Sequence, residues 1–494
     1  MLSLFRFLRS SLFQPGGDNC PVIAIDIGSG YSGYAFNLKP RKEGGEAQFK
    51  QWNEELGLPY PKTPTCILFD ENGNFLKFGY EAQTVYNKMG KEEAKKHYFF
   101  EEFKASLREK DWSRTIKDHN NKSMTIMKVV TEVLRFMKDD ALKTIKVHPE
   151  GGELRASDIT WVVCITGNWD YRTKRFLRDA AIQAGLVAAD DTGKVMFINE
   201  AEAALAWCLN HPSDDLIAQN SPARPPGPTD AGTSCSDPPG QVAVHFDAEE
   251  TIVLMETQTG DGNQRRNPAT ETSDGKRYIV VNCGETIEFN VYGFLDGRAV
   301  GKMYEIFNDN LGGRSVDIKF FTFLWMIFQE LWKEYEENFP NEVQEMMINF
   351  LRVKHLDEEV WIRCPENLKE QAAKKKDIER FFDSVEGASW DNRGIRISRE
   401  ILRSLYREIQ VGLPAYINHM LGKDFNIGSI VLVGGLAQSQ ILRQSITEEF
   451  GSDYKVLCPL RPQEVILKGA VELAINPKLV SFPKKAAGRF KCFS

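Results

Sequence analysis

Asp26 closes an apolar stretch, Val22-Ile23-Ala24-Ile25-Asp26-Ile27, and Gly28-Ser29-Gly30 follow at once. A carboxylate at a strand end can hold a hydrated magnesium ion beside phosphate oxygens. Glycines in the following turn bring backbone N–H groups close to an anion. A second stretch has the same shape: Tyr278-Ile279-Val280-Val281-Asn282-Cys283-Gly284-Glu285-Thr286, then Ile287 to Tyr292. Two β-hairpins with small polar tips can hold phosphate from both sides. Gly434-Gly435, placed between Ile430-Val431-Leu432-Val433 and a helical stretch, offers a third anion-facing turn at a helix N-terminus. Lys104 lies in an aromatic setting, Tyr98-Phe99-Phe100 and Phe103, and Glu200 opens an Ala-rich helix. Each has a plain structural reading too: a hairpin turn, a strand-to-helix turn, a surface lysine, a helix-capping acid.

The elements that must carry these residues follow from hydrophobic periodicity. Strands are expected at Thr63–Phe69, Phe75–Phe78, Ile159–Ile165, Met196–Asn199, Ile430–Val433 and Tyr454–Leu457. Helical spacing covers Gly79–Met89, Met124–Met137, Trp169–Gly185, Glu200–Leu209, Phe320 to about Lys354, Ser398–Leu421 and Pro462–Ala474. The aromatic stripe of the Phe320–Lys354 region reads as core. Residues 211–276 carry clustered Pro, Gly, Ser and Thr, including Pro222-Ala223-Arg224-Pro225-Pro226-Gly227-Pro228. So long an insertion is expected to be largely disordered, with short strands at Gln241–Val244 and Ile252–Met255. Each half has a hairpin, a strand-Gly-helix and a strand followed by a short helix. This pattern predicts a duplicated α/β architecture: a tail (1–19), a first lobe (20–210), the insertion (211–276), a second lobe (277–475) and a C-terminal tail (476–494).

At 494 residues the chain exceeds one ordinary core. An apolar fraction of 42% and a charged fraction of 27% are those of a globular protein. The net charge of −7 argues against nucleic-acid binding, and Lys374-Lys375-Lys376 reads as solvated surface. Nine scattered cysteines without a C-x-x-C pair signal neither a disulfide framework nor a zinc site and fit a reducing, cytoplasmic compartment. No run is long enough to form a transmembrane segment, and Met1 to Phe13, interrupted by Arg6 and Arg9, reads as a tail, with a short interfacial helix as the alternative, rather than a signal peptide.

Taken in order, these motifs resemble the nucleotide-binding domain of the heat shock 70 kDa family, in the divergent flavour of its subfamily twelve. That flavour lies in Lys62-Thr63-Pro64-Thr65-Cys66, Tyr98 to Lys104, Asn168-Trp169, the Glu200–Cys208 helix and Gly434 to Ser439. The resemblance implies an actin-like ATPase (ribonuclease H-like) two-lobe fold with a nucleotide cleft, and ATP and magnesium as cofactors. It matches Asp26 to the magnesium-side carboxylate and Ser29 and Gly30 to phosphate-contacting threonines, beside Gly28. Lys104 matches the lysine reaching the γ-phosphate and the attacking water, and Glu200 the carboxylate before the connecting helix. Gly312-Gly313 matches the glycine pair after the second hairpin, Lys354 an adenine-clamping lysine, and Gly434, Gly435 and Ser439 the adenosine turn.

The departures cluster in the second hairpin, where the family pattern is D-x-G-G-G-T-x-D. Here Asn282 stands at an aspartate, Gly284 is a single glycine, Glu285 takes a glycine place, and Thr286 and Glu288 replace the usual threonine and aspartate. Asn can neither favour a hydrated dication nor act as a base. Leu351 and His355 stand where the family has Glu and Arg, and Ala201 replaces a proline. The expectation is weak ATP binding with slow or absent hydrolysis and a chaperone-like interaction role with unidentified protein partners. The alternative is a scaffold of the same fold that binds no nucleotide; a sugar or acyl kinase is disfavoured. The chain ends at Ser494, so no peptide-binding domain is expected after the second lobe.

Overall fold

A computed structural model of the chain describes residues 20–39, 45–52, 60–108, 114–166, 171–211, 216–218, 277–295, 299–373, 376–391 and 393–476. The tails, most of the 211–276 insertion with its two expected short strands, and Asn168-Trp169 lie outside the described residues. Among those described are two six-stranded sheets, three small sheets and fourteen α-helices.

The first large sheet holds β1 (Val22–Ile27), β2 (Tyr31–Asn37), β3 (Gln48–Phe49), β4 (Thr63–Pro64), β5 (Thr160–Ile165) and β6 (Val195–Asn199). Its order is β6-β5-β1-β2-β3, with β4 also paired to β2. β1 and β2 form an antiparallel hairpin with Ile27 opposite Ser32, while β1, β5 and β6 run parallel. β1 and β5 are buried along their whole length, as expected of parallel strands covered on both faces.

The second large sheet holds β7 (Leu216–Ala218), β8 (Arg277–Cys283), β9 (Ile287–Leu295), β10 (Ala299–Asn308), β11 (Ile427–Val433) and β12 (Lys455–Pro459), in the order β7-β12-β11-β8-β9-β10. Again the hairpin β8–β9 is antiparallel, with Cys283 opposite Ile287, and β8, β11 and β12 are parallel. The two sheets therefore repeat one topology. The stretch read as an insertion opens with a described strand, β7, paired to β12.

The helices that position the site are α1 (Gly79–Lys88), α2 (Ile126–Val147), α3 (Tyr171–Gln183), α4 (Glu200–Asn210), α5 (Gly313–Phe328), α6 (Pro340–Val353), α7 (Arg407–Leu421), α8 (Gln440–Phe450) and α9 (Val465–Ile475). α2 buries Ile126, Val129, Val130, Val133, Leu134, Met137, Ala141 and Ile145. This stripe continues past Met137, and so does the helix. α4 and α9 share one core cluster with Val22, Ala24, Val162, Val280, Val431 and Leu457, so both large sheets contribute to it. Small residues allow the crossing: a Cβ at Gly469 would stand 1.8 Å from the carbonyl oxygen of Ala203. α1 also reaches α6, where Asn87 Nδ2 donates to Gln344 Oε1 at 2.8 Å and Gln344 Nε2 donates to Gln83 Oε1 at 3.1 Å.

Three expected elements are broken. The 320–354 region is three helices, interrupted at Gln329 (φ +48°) and at Phe339, with Pro340 starting α6. The 398–421 helix divides at Tyr406, whose buried hydroxyl donates to the Lys354 carbonyl at 2.8 Å. The Thr63–Phe69 strand splits: Thr63–Pro64 pairs with Tyr31–Ser32, and Cys66–Phe69 joins a small sheet with Phe75–Phe78 and Tyr98–Glu101.

Candidate functional site

The tip of the β1–β2 hairpin is pinned from below by Thr65. Its Oγ1 donates to the Gly28 carbonyl at 2.9 Å, its N–H donates to the Gly30 carbonyl at 2.7 Å, and the Ser32 and Thr65 hydroxyls share a 2.7 Å bond. The turn has no room for a side chain at Gly28, where a Cβ would meet the Tyr31 carbonyl oxygen at 2.2 Å. The β8–β9 tip is tightened by the Gly284 N–H bonded to the Thr286 carbonyl (3.0 Å) and is fastened to α5 by the Gly313 N–H bonded to the Gly284 carbonyl (2.8 Å). Gly434, at φ +90°, lets the end of β11 lie against this hairpin, since a Cβ there would meet the Cys283 carbonyl oxygen at 2.5 Å.

Both tips and the Gly434–Gly435 turn face one cavity of about 290 Å³, at the small end of ligand pockets. Asp26, Gly28, Ser29, Gly30, Lys104, Glu200, Gly284, Thr286, Gly313, Lys354, Gly434 and Gly435 all line it. Two further candidates do not. Gly312 packs behind the second tip, where a Cβ would stand 2.1 Å from the Glu285 carbonyl oxygen. Ser439 is buried and caps α8, its Oγ accepting from the Leu442 N–H at 3.3 Å. A four-residue 3₁₀ turn, Gly435–Gln438, separates the glycine pair from α8. The helix N-terminus is therefore displaced from the turn it was expected to follow directly.

Three lysines of the cavity, Lys62, Lys104 and Lys354, are each paired with a carboxylate. Lys104 rises from a 3₁₀ segment, Phe103–Arg108, and its Nζ lies 2.6 Å from Glu200 Oε1. The other Glu200 oxygen accepts from Asn282 Nδ2 at 2.9 Å. Glu200 is set at the start of α4 by Asn199, whose Oδ1 accepts from the Ala201 and Glu202 N–H groups. Burial pushes the Glu200 carboxyl up, Lys104 pulls it back, and the Asp26 and Glu288 carboxylates raise it further. Lys354 pairs with Asp317 at 2.7 Å. His355 is held below its usual range by burial and by Arg443 and Lys354, so it is neutral near pH 7.

Lys62 is the residue that sequence reasoning did not place in the site. Its Nζ lies 2.6 Å from Asp26 Oδ2, and it lines the cavity with Tyr31, Tyr60 and Tyr80. Burial works against the Lys62 ammonium, but Asp26 and then Glu200 hold it above its ordinary range. Lys62 directly precedes β4, so the β4–β2 pairing delivers it; that is a long-range contact with no local signature.

Glu285 lies across the gap between the tips. A Cβ on Gly30 would fall 2.1 Å from Glu285 Cγ, and one on Gly313 would fall 3.1 Å from Glu285 Oε1. Burial lifts the carboxyl from 4.5 to about 7, against the pull of Lys354. Glu288 also sits at about 7, through burial and the neighbouring Glu305.

These groups suit an oxyanion: backbone tips supply N–H donors, and Lys62 and Lys104 supply ammonium charge. For magnesium the donor set is a poor fit. Asp26 Oδ1 is buried and accepts no hydrogen bond, as a metal ligand would be. Its sister oxygen, however, already carries an ammonium, Asn282 is uncharged, and both Glu200 oxygens are engaged. Among the described residues, no group of three or more His, Cys, Asp and Glu has metal-holding geometry.

Comparison with curated proteins gives three similarities that span most of this chain. Human heat shock 70 kDa protein 12A is 24% identical over 478 residues, covering 93% of this chain and 70% of that protein. The mouse protein of that name is 25% identical over 483 residues, and human heat shock 70 kDa protein 12B is 26% identical over 484 residues, covering 93% of this chain and 69% of that protein. The chain resembles the heat shock 70 kDa protein 12 proteins. No family model matches it. Beside the heat shock 70 kDa pattern, the changed positions Asn282, Glu285, Leu351 and His355 all face the same cavity.

Proposed function

We propose that the chain is a divergent heat-shock-70-like protein of actin-like, two-lobe fold. Its lobes, residues 20–210 and 277–475, close on ATP in this cavity with slow or absent hydrolysis, and ATP occupancy serves a protein-interaction role. The observation that carries the reading is the convergence of both duplicated hairpin tips and the Gly434–Gly435 turn on one cavity. Gly435 has nothing within 4 Å of where a Cβ would stand, so its backbone is open to a ligand. Slow turnover is supported by the Asn282–Glu200–Lys104 chain. Its one carboxylate is spent on two neighbours, and an amide stands where a base would act, a loss worth ~10²–10⁴ in rate. Among the described residues no helix is long and apolar enough to cross a membrane. A cytoplasmic setting is part of the proposal and is supported by the free cysteines.

A second reading, a scaffold that takes no nucleotide, is favoured by one feature: Glu285 already fills the space beside Gly30. Calorimetric titration with ATP and magnesium, followed by a phosphate-release assay, separates the two. Binding with little phosphate release is expected. No heat and no thermal shift would sink nucleotide binding, and rapid turnover would sink the argument from Asn282.

A further inference from the structure

We infer that the cavity takes its nucleoside polyphosphate without a divalent cation, the Lys62 ammonium standing on Asp26 as a built-in counter-charge. The inference rests on the ATP-binding reading.

Lys62 is tied to the Asp26 carboxylate at 2.6 Å, and both side chains are largely buried, with 13% and 1% of their surface exposed. A dication on Asp26 would share that carboxylate with an ammonium at close range, a repulsion that burial leaves poorly screened. In the second hairpin Asn282 is an uncharged amide held to Glu200 Oε2 through its N–H, and the two carboxyls that line the cavity there, Glu285 and Glu288, are both lifted by burial to about 7, which weakens them as ligands for a dication. Glu200 Oε1 is held by Lys104. Asp26 and Glu200 are thus each paired with a lysine of the chain itself.

The ammonium is equipped for this role. It has three donors, and Asp26 takes one, so two remain to reach phosphate oxygens in the cavity that Lys62 lines. Thr63 and Pro64, paired with Ser32 and Tyr31, fix the backbone immediately after Lys62 beside the first hairpin tip. The lysine is therefore held by the same element that forms the phosphate-facing turn.

The test is calorimetry of the full chain with ATP, in excess magnesium and in EDTA. The expected affinities agree to within about threefold, whereas a requirement for magnesium, or a gain beyond about tenfold from it, overturns the inference. Lys62→Gln should lose about tenfold or more in EDTA and become magnesium-dependent, because Asp26 is released. Retention of full affinity in EDTA by that variant overturns the inference. Lys62→Arg keeps the charge and should keep binding in EDTA; loss of EDTA binding in a folded Lys62→Arg protein counts against it. If Lys62→Gln fails to fold, the wild-type and Lys62→Arg comparison decides. Absence of binding in both buffers overturns the ATP reading itself, whereas binding with magnesium alone overturns only this inference.

Discussion

Glu285→Gln isolates the strangest group in the cavity. The wild-type carboxyl is wedged between Gly30 and Gly313, facing Lys354, Asp317, Glu102 and Arg314. Its rise from 4.5 to about 7 corresponds to roughly 3 kcal/mol for a fully buried group. The side chain is only half-buried, so solvent screening reduces this to about 1–2 kcal/mol. A raised carboxyl pKa means that the folded chain holds a proton which the unfolded chain releases earlier. The stabilisation is complete below about pH 4.5 and is lost as pH rises to about 7. Gln keeps the size and neutrality of the protonated acid. The variant should therefore match wild type near pH 4.5 and exceed it by about 1–2 kcal/mol at pH 8, or about 2–4 °C per kcal/mol if a unit of 150–250 residues unfolds together. Urea or thermal unfolding of both proteins at several values from pH 4.5 to 8 reads this difference. Glu288 and Glu202, also lifted to about 7, are common to both proteins and cancel. A constant difference at every pH would show that Glu285 titrates as an ordinary solvated acid and would refute the account of the two tips packed through this side chain.

Three other perturbations follow from the packing. Lys104→Met leaves Glu200 charged and buried, with an expected cost of about 3–5 kcal/mol in chemical denaturation, and adding Glu200→Gln should recover most of it. Gly469→Val drives a side chain into the Ala203 carbonyl and should lower stability by at least about 1–3 kcal/mol, read as the urea midpoint or the soluble yield. Asp357, clasped by Arg399 and Arg403 through paired bonds, is held far below the usual carboxylate range by those hydrogen bonds. Its contribution is present above about pH 4 and fades as pH falls further, so Asp357→Asn should cost about 1–3 kcal/mol at pH 7 and flatten the acid limb of the stability curve.

What was legible in the sequence was local. A strand, a glycine turn and a second strand are adjacent along the chain, so both hairpins and their opposed tips could be read from Val22–Phe36 and Tyr278–Tyr292. The repeated order of elements likewise announced two sheets of one topology. The break at Tyr406 was not legible, because the amphipathic period runs straight through it and the interruption accompanies a distant bond to the Lys354 carbonyl. Lys62 was hidden for the same reason. Its place beside Asp26 comes from the β4–β2 pairing, which closes a separation of 36 residues along the chain.

The glycines show why a motif alone underdetermines a site. Gly312, Gly434 and Gly435 carry one sequence signature, yet they do different things. At Gly312 and Gly434 a Cβ would strike backbone atoms of the second hairpin, and both residues have positive φ, so glycine is required there for packing whether or not a ligand exists. At Gly435 nothing stands within 4 Å, and its backbone faces the cavity. Substituting the first two therefore tests the fold, and substituting Gly435 tests the ligand. Gly435→Ala is sterically free in the unliganded chain, so any loss of ATP affinity in a variant of unchanged stability must come from contact with the bound molecule.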